Sequence, residues 1–133
     1  MPYAHHIIET DRLALVSGSG PGTCDTWLAE LQAISVDPGL GADLAVLFDL
    51  TDLDYVPSGT DSERIAGAFR RLLGRHPIAL LARAGAQYGG ARQVSIFSEI
   101  AEVTVQAFQD YDEAVAWLAR VRGVQSIQGQ EPA

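Results

Sequence analysis

The chain has 133 residues, 47% of them hydrophobic and 20% charged. That is the length and composition of one globular domain, and it excludes general disorder. Seventeen acids against nine bases give a formal charge of −8, which argues against a nucleic-acid or anionic-membrane surface. All nine bases are arginine, so Schiff-base chemistry, a pyridoxal anchor and the phosphate-loop lysine are excluded. Cys24 has no partner for a disulfide or a cysteine zinc site. The start, MPYAHHIIETDR, has neither the basic region nor the apolar run of a signal peptide. The apolar runs LAVLF and IALLA fall far short of the ~20 residues a membrane helix needs. A cytoplasmic protein is the expectation.

Tyr3 to Glu9 and Arg12 to Ser17 are rich in β-branched and apolar residues, with Thr10-Asp11 between them as a polar turn. They predict an antiparallel hairpin. Ser17 to Gly22 reads as a loop. Thr23 is placed to cap a helix in which Trp27, Leu28, Leu31 and Ile34 repeat at helical spacing. Leu44 to Leu50 is an almost unbroken apolar run, as in a strand covered on both faces. After a polar stretch, Thr60 and Glu63 have the spacing of a capping box for a second helix, with Ile65, Phe69, Leu72 and Leu73 as its buried stripe. Ile78 to Ala82 predicts a buried strand. Ala86 to Glu99 predicts a helix with Tyr88, Ala91, Val94, Phe97 and Ile100 inward. Val103 to Phe108 predicts a strand, and Asp110 with Glu113 caps a last helix.

The order is β-β-α-β-α-β-α-β-α. It implies an α/β fold with a mixed, mostly parallel five-stranded sheet and four helices. The domain is expected over 1–122, and 123–133, with little to bury, as a disordered tail.

Candidate chemistry is sparse. His5 and His6 are adjacent on a strand, so they point to opposite faces and cannot share a metal. GSGPGT (Gly18 to Thr23) sits between strand and helix, yet Thr23 replaces the third glycine of a dinucleotide fingerprint and Pro21 lacks a backbone N–H. Asp49, Asp52, Asp54 and Asp61 gather after the central strand and read as solvated turn acids. No serine lies in a G-x-S-x-G elbow. No catalytic residue, metal site or cofactor is expected.

LFDLTDLDYVPSGT (Leu47 to Thr60) resembles the STAS domain signature: an apolar strand ending in Asp-Leu, a short loop, an aromatic-apolar pair and a pair of serines at a helix start. YGGARQVSIFSEI (Tyr88 to Ile100) and FQDYDEAVAWL (Phe108 to Leu118) resemble the SpoIIAA-like branch of that superfamily. The resemblance implies a non-enzymatic docking or regulatory module. In the anti-sigma-factor antagonists of the superfamily a serine at the start of the second helix is phosphorylated. Ser58 matches the first serine of that pair, while Gly59 stands at the modified position and Thr60 is the next hydroxyl. The expected binding surface is Asp52, Tyr55, Ser58 and Thr60, with Tyr88 and Arg92 beside it. The expected partner is a protein or a small apolar ligand held between sheet and helices, where Gly89-Gly90, Ala82, Ala84 and Ala86 leave room. A homodimer through an edge strand is a further expectation.

Overall fold

The computed structural model describes residues 3–8 and 12–130, with side chains through residue 122. β1 (Tyr3–Ile8) and β2 (Leu13–Pro21) pair antiparallel, Tyr3 opposite Gly18 and Ile8 opposite Leu13. The expected Thr10-Asp11 turn lies outside the described residues. α1 (Cys24–Ser35), β3 (Ala45–Asp54), α2 (Gly59–Leu73), β4 (Ile78–Leu81), α3 (Ala86–Ile100), β5 (Val105–Phe108) and α4 (Tyr111–Gln130) follow. The sheet order is β1-β2-β3-β4-β5, parallel from β2 onward. This is the mixed five-stranded α/β arrangement expected from the element order.

Each crossover adds the next strand on the same side of the sheet, so right-handed connections put α1, α2 and α3 on one face. α4 packs across β3, β4 and β5. β3 alternates between the two layers. Val46, Phe48 and Leu50 join the core under α1 to α3, whereas Ala45 and Leu47 join Ala79, Leu81, Phe108, Ala114 and Leu118 under α4. Burial on both faces is why LAVLF is continuously apolar. The larger core centres on aromatic rings. Trp27 meets Phe48 edge-on at 5.8 Å and Phe69 at 6.1 Å, and Phe48 and Phe69 lie 5.7 Å apart.

Several local expectations change. β2 continues through the expected loop to Pro21 because β3 also runs on, to Asp54, and supplies its partner: Ser19 pairs with Asp52 and Pro21 with Asp54. Thr23 caps α1 as expected, in a reciprocal box with Thr26. α2 is capped by Ser58, not Thr60. Ser58 Oγ accepts the Asp61 N–H at 3.1 Å, which places Thr60 inside the first turn. α3 buries Gln87, Gly90, Ala91, Val94 and Ser98, while Ile100 is 74% exposed. Small residues let α3 approach closely: a Cβ on Gly90 would lie 3.0 Å from side-chain carbons of Val56 and Pro57. The space expected around Gly90 for an apolar ligand is thus taken by the β3–α2 connection. Asp110 Oδ2 accepts the Glu113 N–H at 2.9 Å, the expected cap of α4. That helix carries the backbone past Gly123 to Gln130; the remainder of the expected tail, 131–133, lies outside the described residues.

Candidate functional site

The β2–β3 ribbon overshoots the rest of the sheet. β3 pairs with β4 only from Val46 to Asp49, yet stays paired with β2 as far as Asp54. Among the described residues its far half has no third strand, so its backbone carbonyls need other donors. α3 supplies them. Gln87 Nε2 donates to the carbonyls of Leu50 (2.6 Å) and Leu53 (2.9 Å), and Gln87 Oε1 accepts the Arg83 N–H at 2.6 Å. The Arg83 guanidinium donates to the carbonyls of Thr51 and Leu53. Asp49 Oδ1 accepts from both the N–H and the hydroxyl of Thr51. The segment leading into α2 is thereby held to a rigid frame.

Beside this ribbon the first turns of α1 and α2 meet. Thr23, Cys24, Asp25, Tyr55, Asp61 and Arg64 line a cavity of about 400 Å³. The Tyr55 hydroxyl donates to Asp61 Oδ2 at 2.8 Å, and its ring stands edge-on to Trp27 at 6.5 Å. Arg64 donates to Asp25 Oδ1 at 3.1 Å, joining α2 to α1. Burial pushes the Tyr55 phenol above its ordinary value, and the bond to Asp61 pushes it further. Burial also raises the Cys24 thiol, with the Asp61 charge adding to it. Neither group is primed as an anion at neutral pH, despite the helix N-terminus beside Cys24.

The six residues expected to form the surface separate. Tyr55 lines the cavity, and Ser58 acts through its cap on Asp61. Asp52 and Thr60 are exposed on β3 and on the first turn of α2. Tyr88 is half-buried against the main core, Arg92 is exposed on α3, and neither lines the cavity. Sequence reasoning missed Arg64 and Gln87 and misread the environment of Asp61. The spacing of Ser58 and Asp61 is itself a helix-start signal and points to Asp61. Gln87 bonds carbonyls 37 and 34 residues away, which no local pattern reveals. Among the described residues no group of three or more His, Cys, Asp or Glu is placed to hold a metal ion, and no helix is long and apolar enough to cross a membrane.

No family model and no curated protein matches the sequence. A crystal structure of an uncharacterized protein of the DUF3478 family from Shewanella loihica PV-4, with a SpoIIAA-like fold, is similar to this one. The TM-score is 0.54 at 17% identity, over 87% of this chain and 91% of that chain. The fold is SpoIIAA-like. At that identity the likeness extends to architecture alone. In the SpoIIAA-like frame, the cavity lies where the first two helices start, beside the projecting end of β3.

Proposed function

We propose that this SpoIIAA-like chain is a non-catalytic docking module that binds a protein partner at the projecting end of β3 and the starts of α1 and α2. The clamp of Gln87 and Arg83 on the carbonyls of Leu50, Thr51 and Leu53 carries this reading. A segment already ordered in the free protein loses little entropy on binding. Its exposed acids, Asp25, Asp52, Asp54 and Glu63, suit a basic partner surface. With their pKa values raised, Cys24 and Tyr55 leave the adjoining cavity without a ready nucleophile or base.

Cross-linking of the full chain in native extract, followed by peptide mapping, tests the proposal. The expected cross-links fall within residues 51–64 and are lost in Asp52→Arg/Asp54→Arg but retained in Arg120→Glu. Turnover in a broad hydrolase or transferase screen that a single substitution abolishes would overturn it. Regulation by phosphorylation at Ser58 is a second reading, favoured by an exposed Oγ at a helix N-terminus, where the dipole stabilises a phosphate. Phosphosite mapping after incubation with extract kinases decides it; no modification between Ser58 and Ser62 ends it.

A further inference from the structure

Charge is distributed unevenly along this chain. Residues 64–98 contain six of the nine arginines and no acid. α2 spans this change, with Asp61 and Glu63 in its first turns and Arg70 and Arg71 in its last. Its ends are about 22 Å apart at 1.5 Å per residue, so the basic end is well separated from the cavity at its start.

The basic end is a shaped turn. A Cβ on Gly74 would come within 2.5 Å of the Arg70 carbonyl oxygen, so the chain closes over the helix end as only glycine allows. The His76 N–H donates to the Leu73 carbonyl at 2.9 Å. The His76 ring donates through Nδ1 to the Leu44 carbonyl at 2.8 Å, tying the turn to the connection before β3. Buried Pro77 then leads directly into β4. Arg70, Arg71, Leu72, Gly74, Arg75 and His76 line a cavity of about 310 Å³.

Arg70, Arg71 and Arg75 are exposed, and none of them forms an ion pair or hydrogen bond among the described residues. In a protein with nearly two acids per base, three neighbouring guanidiniums left without a carboxylate call for an explanation. The negative end of the helix dipole accounts for cations in the last turn. It does not account for Arg75, which lies past the helix end.

We propose that this turn binds a phosphoryl group carried on a small molecule or a headgroup. Guanidinium forks meet phosphate oxygens in paired, charge-assisted hydrogen bonds. Three forks on one fixed turn suit a compact oxyanion, and a cavity lined by a single seven-residue stretch suits a group of that size. The site stands apart from the docking surface proposed above and does not depend on it.

The test is titration of the ¹⁵N-labelled full chain, at about 0.15 M salt to screen diffuse attraction. One arm uses sodium pyrophosphate, and the other uses phosphatidylcholine vesicles containing phosphatidylinositol bisphosphate. The expected result is a saturable shift of the Arg70, Arg71 and Arg75 side-chain Nε–H signals in at least one arm, which also identifies the carrier. Arg71→Gln and Arg75→Gln each weaken binding by about tenfold. Arg120→Gln, which removes the same charge from α4, leaves it unchanged. A non-saturating response, or equal weakening by Arg120→Gln, overturns the proposal. The wild-type signals report on the site even where a variant fails to fold.

Discussion

His5 connects the edge strand to the rest of the protein through two carboxylates. Its Nδ1 lies 2.8 Å from Glu30 Oε1 on α1, and its Nε2 lies 2.8 Å from Asp37 Oδ2 in the connection after α1. Both partners accept, so both ring nitrogens must carry protons, and the arrangement requires an imidazolium. The bond to Glu30 raises the pKa of His5, with Asp37 contributing, against the opposing effect of burial. A raised folded-state value means that the stabilisation is complete below the unfolded value of 6.5 and is lost as pH rises through the folded value. Asp37 works in the other direction. The Gly39 N–H and then His5 lower its value, so its contribution is present above 3.8 and is lost as acid protonates it. The clasp is therefore strongest between these limits. Replacing His5 with alanine leaves the Glu30 side chain, only 7% exposed, without its donor. Loss of a charge-assisted bond to a buried acceptor costs about 2–3 kcal/mol, or roughly 6–12 °C in Tm for a domain of this size. Urea denaturation at about pH 5.5 and about pH 8.5, across the range where histidine titrates, reads the effect. The expected difference between wild type and His5→Ala is large at the lower pH and shrinks at the higher one. Subtracting the variant removes every titration that does not involve this clasp. An equal difference at both pH values would refute an imidazolium clasp.

Gln87→Ala removes two donors from the carbonyls of Leu50 and Leu53 and is expected to cost about 2–3 kcal/mol by denaturant titration; amide exchange should rise most within 50–55, and uniform exchange would count against the clamp. Gly67→Ala and Gly89→Ala place a methyl in open space on helices and are expected to stabilise by about 0.5–1 kcal/mol each. Gly85→Ala, at φ +92°, is expected to destabilise because a side chain strains that backbone; stabilisation there would contradict the geometry. Cys24 is buried and its thiol is raised, so alkylation near neutral pH should be much slower in native than in urea-unfolded protein; equal rates would mean the thiol is accessible.

The α/β class, the order of nine elements and the hairpin at the start were legible in the sequence because each rests on local periodicity. Strands covered on both faces are continuously apolar, and helices repeat their buried side chains every three or four residues. The Thr23 and Asp110 caps were legible because a cap and the N–H it accepts lie three residues apart. On α3, Ala91 and Val94 were read correctly as inward, whereas Ile100 is exposed and Gly90, Ser98 and Gln87 were missed, because hydropathy hardly marks small residues and the polar end of Gln87 is satisfied by distant carbonyls. The histidine clasp was equally hidden: local spacing put His5 and His6 on opposite faces, but Glu30 and Asp37 lie 25 and 32 residues away. Chain-local chemistry therefore determined the elements and their order. Only the tertiary structure decided which polar groups meet, because burial leaves each of them to find its partner across the fold.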